Sequence, residues 1–132
     1  MLRFLTLIAG ILAIGFTGLT AAHAAGGGFS GYSASRFAAA QEAGKTIVVD
    51  VHASWCPTCK AQAPILKDIA SDPKAKDVVF LRVNYDTDKA FLRTHRIPRQ
   101  STILVFKGKQ EVGRSIAETN RARLRSFVFD RI

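Results

Sequence analysis

Both cysteines of this 132-residue chain fall within Ser54-Trp55-Cys56-Pro57-Thr58-Cys59-Lys60. No other stretch restricts the backbone as strongly. Two thiols three residues apart meet only in a tight turn or in the first turn of a helix, and the residues that follow are helical in pattern. Cys59, Ala63, Leu66 and Ala70 recur at three- and four-residue steps and draw an apolar stripe, while Lys60, Lys67 and Asp68 fall on other faces. Pro57 suits the first helical position, where its missing N–H costs nothing. Cys56 then becomes the cap and Cys59 belongs to the buried side. The unpaired N–H groups and positive dipole end of the helix favour an anion at Cys56. An exposed Cys56 thiolate can open a partner's disulfide, and Cys59 can resolve the mixed disulfide.

Two other uses of such a pair stand beside the redox one. A structural disulfide closing four residues constrains the unfolded chain little. A structural zinc takes four Cys or His ligands, and only two cysteines exist here. The spacing itself reads first as a redox motif.

Val49-Asp50-Val51-His52-Ala53-Ser54-Trp55-Cys56-Pro57-Thr58-Cys59-Lys60, followed by Pro64-Ile65-Leu66, resembles the active-site segment of the thioredoxin family. Thr102-Ile103-Leu104-Val105-Phe106-Lys107-Gly108 is similar to the strand after that family's cis-proline loop. The likeness covers everything after the first thirty or so residues. It implies an α/β thioredoxin fold, a central mixed sheet flanked by helices on both faces, with the first strand short or absent. It also implies protein-disulfide reductase chemistry through a redox disulfide between Cys56 and Cys59, with no cofactor and no metal. In thioredoxins the aspartate matching Asp50 lies beneath the second cysteine, so the resemblance makes Asp50 the acceptor and donor of the Cys59 proton. Read from the residues alone, Asp50 is a carboxylate inside an apolar strand that must be paired, hydrogen-bonded or held neutral. Satisfaction by backbone donors at the strand's end is the plainer alternative.

Two departures from the family pattern stand out. Ser101 occupies the place of the cis-proline, and Pro98 comes three residues too early, so a trans Gln100-Ser101 bond is expected. His52 stands where thioredoxins usually carry tryptophan. Two residues after Asp50 on one strand, it shares that residue's face and is a candidate for a proton relay with it; the alternative is a core histidine with satisfied ring nitrogens. By resemblance, Ala53 to Trp55 with Gln100, Ser101 and Thr102 line the substrate contact, and Trp55 either forms a wall of that surface or only shields the disulfide from water. The competing class of function is a module in which Cys56, Cys59 and His52, or a second chain, hold a soft metal or a cluster.

Met1-Leu2-Arg3, the apolar run Phe4 to Leu19 and the small-residue site Ala22-His23-Ala24 fit an export signal cleaved before Ala25. An uncleaved membrane anchor is the alternative. Residues 1–24 are thus assigned to the signal, 25–32 to a flexible glycine-rich start, and 33–132 to a single domain. Hydrophobic content of 48% is enough for a real core. Either fate of the leader places the domain outside the cytoplasmic membrane, in a periplasm. The expected partners are exported proteins bearing disulfides and a membrane electron donor of the DsbD or CcdA type. Asp50 and the lack of an inserted helical domain favour a reductase over a DsbA-like oxidant. The net charge of +9 is spread along the chain without a nucleic-acid motif, which implies a solvated basic surface and no nucleic-acid partner.

Elsewhere, Ser33 or Ser35 caps a helix through Ala43 with Phe37 as its apolar anchor. The near-continuous apolar run Thr46 to His52 reads as a central strand covered on both faces. Val78 to Val83 gives the next strand, and Thr87 caps a short helix ending at His95, a solvent-side residue favoured in its charged form by the dipole. Thr102 to Phe106 and Gln110 to Ser115 form a hairpin with a bulge at Gly113. Thr119 or Asn120 caps a last helix whose Leu124, Phe127 and Val128 face the sheet while Arg121, Arg125 and Arg131 stay wet.

Overall fold

A computed structural model describes residues 28–132. The expected leader and its cleavage site lie outside these residues. Among the described residues no helix is long and apolar enough to cross a membrane.

The uniformly apolar run becomes β2 (Thr46–His52), and its five inner residues are all buried. It pairs in parallel with β3 (Val79–Asn84) and antiparallel with β4 (Thr102–Lys107), which continues through a hairpin into β5 (Gln110–Ile116). A two-residue β1 (Ser30–Gly31) runs parallel to the outer edge of β3. The sheet order is β1-β3-β2-β4-β5. The first strand is short, as expected, but the packed domain begins earlier than residue 33. Ser30 and Gly31 pair with Leu81 and Arg82, and Phe29 sets its ring edge-on to Phe80 at 5.1 Å.

Alternation along the strands sorts the core into two layers. Ile47, Val49, Val51, Leu81, Leu104 and Phe106 face one side, covered by α1 (Ala34–Glu42) and α3 (Lys89–Thr94) through Phe37, Phe91 and Leu92. Val48, Phe80, Ile103 and Val105 face the other, covered by α2 (Pro57–Ser71) and α4 (Arg121–Phe129) through Ile65, Leu66, Ile69, Leu124 and Val128. A single 3-10 turn, Pro73–Ala75, links α2 to β3. The helix α2 continues through Pro64, so that proline shapes the helix without ending it.

Ser33 and Asn120 supply the capping oxygens of α1 and α4, at 3.2 Å to the Arg36 N–H and 3.0 Å to the Arg123 N–H. The bulge falls where Val105 faces Gly113 and Phe106 faces Glu111, leaving Val112 as the extra residue. Three expectations are corrected. Helix α3 starts at Lys89 with Asp88, not Thr87, at its N-cap position, and the Asp88 carboxylate turns back to accept the Asn84 N–H at 2.7 Å instead of capping the helix. His95 is not a solvent-side residue. Its ring lies 4.2 Å from that of Phe91 and edge-on to Phe37 and Phe106. Burial there lowers its pKa against the pull of the Glu111 carboxylate. Arg131 is half-buried rather than wet, its guanidinium 4.5 Å from the Phe127 ring and donating to the Phe127 carbonyl.

Phe106 is the largest fully buried side chain of the sheet and meets Phe37 edge-on at 5.2 Å. Phe106→Ala is expected to cost about 3–5 kcal/mol by cavity formation. A lowered denaturant midpoint at constant slope checks it; a midpoint within error of the parent would contradict the assigned core.

Candidate functional site: a cysteine pair under a serine clamp

Cys56 is the N-cap residue of α2, with Pro57 in the first helical turn. Its sulfur accepts the Cys59 backbone N–H at 3.1 Å, as a capping side chain does for one of the free donors of the first turn. Both thiols are free. The Ser101 hydroxyl lies between them, 3.1 Å from the Cys56 sulfur and 3.2 Å from the Cys59 sulfur. Burial works against a Cys56 anion, but hydrogen bonds from Cys59, Ser101, the Cys59 N–H and the Gln100 side chain outweigh it, so the thiol ionises below its ordinary range. Burial and the neighbouring Cys56 push Cys59 the other way. The two sulfurs are inequivalent, as the helix register requires.

The expectation of an exposed Cys56 is corrected. It is 0% exposed, in a small cluster with Ala53, Cys59 and Tyr85. The reason is tertiary: its sulfur turns inward to the Ser101 hydroxyl and the helix N–H rather than outward to water.

Ser101 itself is held by every polar atom it has. Its N–H donates to the Val51 carbonyl at 2.8 Å, and its carbonyl accepts the Ala117 N–H at 2.9 Å and the Gln62 amide at 3.3 Å. The chain contains no cis peptide among the described residues, so the Gln100-Ser101 bond is trans. Ser101 adopts φ +64° and Ala117 φ +56°. Left-handed backbone at a non-glycine residue costs about 1–2 kcal/mol and persists only where surrounding contacts impose it. Here the two strained residues are bonded to one another, and Gln62 straps both loops by donating also to the Glu118 carbonyl at 3.0 Å. Thr102 differs from the expected surface contact. It is buried, and its hydroxyl closes the loop by donating to the Arg99 carbonyl at 2.7 Å.

Asp50 is 1% exposed and faces the α2 side of the sheet by alternation with Val48. One carboxylate oxygen accepts the Arg82 Nε–H at 2.9 Å, across the parallel register that sets Asp50 beside Arg82. The other oxygen has no hydrogen-bond partner. Burial raises the Asp50 pKa against the pull of Arg82 and His52. The backbone-satisfied carboxylate is thus replaced by a half-paired one that holds its proton more firmly than usual. His52 Nδ1 stands 4.0 Å from the paired Asp50 oxygen, and burial lowers its pKa. It shares Asp50's face, but as a neutral ring it is a weaker partner than Arg82.

Trp55 is 55% exposed, and its Nε1–H donates to both Asp86 oxygens at 3.2 and 3.0 Å. The ring is pinned outward beside the buried Cys56. Among the described residues no group of three His, Cys, Asp or Glu side chains is placed to hold a metal ion. His52 is with Asp50, not with the sulfurs. Sequence reasoning missed Arg82 and Gln62. Arg82 was signalled by a lone charge inside an apolar strand, and Gln62 by its place three residues after Cys59 on the buried stripe.

Comparison with known proteins agrees with this geometry. Residues 32–130 match the family model described as Thioredoxin. This chain belongs to the thioredoxin family. It is 38% identical to thioredoxin H2-1 of Oryza sativa subsp. japonica over 72 residues, 54% of this chain and 51% of the rice protein. It is 32% identical to a thioredoxin of Mycobacterium tuberculosis over 80 residues, 61% of this chain and 68% of that one. The chain therefore spans only about half to two thirds of these relatives. Among solved structures, Trxlp of Edwardsiella tarda is 41% identical with TM-score 0.71, over 74% of this chain and 97% of that protein.

Proposed function

We propose that this thioredoxin-family chain is a thiol-disulfide oxidoreductase that reduces disulfides of exported proteins through the Cys56/Cys59 dithiol. The observation that carries the reading is the inequivalence of the sulfurs: Cys56 ionises early at a helix N-cap, and Cys59 retains its proton. The Cys56 thiolate attacks one sulfur of the client disulfide. A Cys56–client bond forms, the client S–S bond breaks, and its electron pair leaves on the other client sulfur. Cys59 then gives its proton to Asp50 and attacks the Cys56 sulfur. The Cys56–client bond breaks and the second client thiolate departs. Two cysteines are oxidised to a disulfide, and one client disulfide is reduced to two thiols.

A protein client suits the apolar flanks of the site. Trp55 and Ile116 are the exposed large hydrophobics among the described residues, at 55% and 47%. One directly precedes Cys56; the other pairs across from Thr102, next to Ser101. Trp55 and Gln100 are the client contacts this arrangement supports, with His52 a route by which the Asp50 proton exchanges with water. Export to the periplasm rests on the Met1–Ala25 pattern. A membrane donor of the DsbD or CcdA type is then required to re-reduce the pair in an oxidising compartment.

Trapping thiols by acid quench in the source cell tests direction and address together. A mostly reduced pair in the periplasmic fraction, on a chain beginning at Ala25, is the expected result. A mostly oxidised pair reverses the direction to a disulfide-forming oxidant, and an uncleaved chain in the membrane fraction replaces the soluble form by an anchored one.

A further inference from the structure

The hydroxyl between the sulfurs has a use of its own, which rests on the redox reading above. We propose that the Ser101 hydroxyl is a shared hydrogen-bond donor that serves the two sulfurs in turn, and that the buried Gln62 side chain holds it in place.

Ser101 Oγ is nearly equidistant from the two sulfurs, 3.1 and 3.2 Å, and it carries a single proton. It can therefore favour only one sulfur anion at a time. Before attack the negative charge is on Cys56. Once Cys56 is bonded to the client, its sulfur is neutral and the charge develops on Cys59. A rotation about the Ser101 C–O bond redirects the hydroxyl from the first sulfur to the second without movement of the backbone. No bond between heavy atoms changes in this step, and the Cys59 proton still goes to Asp50. Because the site is buried, a donor aimed at developing charge acts more strongly than it would at a surface.

Such a donor must not drift when the sulfurs exchange charge, and Ser101 is in a strained backbone conformation that has to be imposed. Gln62 supplies the side-chain part of the restraint. It is 0% exposed, and its amide nitrogen spends both hydrogens on backbone carbonyls, those of Ser101 and Glu118. Its own oxygen is left without a partner. Turning the amide over would face that oxygen towards the two carbonyls, so the orientation is fixed by repulsion as well as by bonding. An apolar residue would suit this buried stripe at lower desolvation cost. The polar side chain is explained by the two carbonyls it straps, one belonging to Ser101 and one next to Ala117, which itself bonds Ser101. Ser101 touches the reacting atoms; Gln62 is a positioning residue.

The test uses the full chain and 5,5′-dithiobis(2-nitrobenzoate), followed by stopped flow. Release of the first thionitrobenzoate reports attack by Cys56, and release of the second reports displacement by Cys59. Ser101→Gly removes the hydroxyl at a residue type that adopts φ +64° without strain, so folding is preserved. Both phases are expected to slow about ten- to a hundredfold near pH 7, the worth of one hydrogen bond to a charged group, with the first phase recovering at high pH where the thiol is fully ionised. Gln62→Met keeps volume and removes both donors. It is expected to slow both phases in the parent and neither in the Ser101→Gly background. Unchanged phases in Ser101→Gly overturn the shared donor. Additive slowing in the double variant overturns the Gln62 role. Cys56→Ser and Cys59→Ser run alongside: if the former still gives a first phase as fast as the parent's, the redox assignment has failed instead.

Discussion

Cys56→Ser is expected to leave insulin disulfide reduction below detection, a loss of about three orders of magnitude or more, because a serine hydroxyl has no anion to offer near neutral pH. Cys59→Ser is expected to behave differently. It attacks once and stops at a stable mixed disulfide, recoverable on a non-reducing gel and released by added dithiothreitol. The difference follows from placement. Cys56 caps α2 and receives the Cys59 N–H and the Ser101 hydroxyl, while burial and its neighbour raise the Cys59 pKa. Alkylation by iodoacetamide after mild reduction, followed by peptide mapping from mildly acidic to mildly alkaline pH, reads the same asymmetry. Cys56 should label first at every pH in that window. Equal labelling rates for both sulfurs, or residual reduction above about a tenth of the parent in Cys56→Ser, would remove the basis of the proposed mechanism.

Asp50→Asn is expected to slow the resolving step about a hundredfold while sparing the first, since the amide cannot accept the Cys59 proton. It should also change the pH dependence of stability, with a sign that burial dictates. The folded-state pKa of Asp50 is raised from the ordinary 3.8, so the folded chain holds this proton more firmly than the unfolded chain. The Asp50 contribution to stability is therefore most favourable below 3.8 and falls as pH rises towards the folded-state pKa, by about 1.4 kcal/mol for each pH unit crossed. Above that value the penalty is constant. The neutral amide of the variant carries no such penalty. Urea midpoints are best compared in a His52→Gln background, because the His52 pKa is lowered and its contribution rises with pH, opposite in sign. The stability difference between variant and parent should widen with pH and then level off. Parallel curves would mean that Arg82 fully compensates the buried carboxylate.

The two effects have one cause. Asp50 is paired on one side only: Arg82 reaches one oxygen at 2.9 Å and leaves the other without a partner. A fully paired carboxylate would stabilise the fold but could not take a proton. A fully neutral one could not give it back after reduction. A strand that otherwise packs as an uninterrupted apolar face tolerates such a residue at a cost in stability, which is how buried acids at reactive sites are commonly arranged.

Residue order in the cysteine segment was enough to specify the site's polarity. Pro57 after Cys56 sets the helix start, the three-residue step puts Cys59 on the buried face, and the run from Thr46 to His52 admits no role but a central strand. These are local properties, periodicity and capping, and they survive in any fold that contains them. What the tertiary structure alone decided was everything that reaches across elements. Arg82 meets Asp50 through the parallel register of β2 and β3; His95 is drawn into an aromatic cluster; Cys56 is buried instead of exposed; and Ser101, Ala117 and Gln62 form one hydrogen-bonded brace. Arg82 lies 32 positions from Asp50, Ser101 lies 39 from Gln62 and 45 from Cys56, and no periodicity within a segment encodes such meetings. A chain's own order fixes which way each side chain points along its element; only packing decides what it finds there.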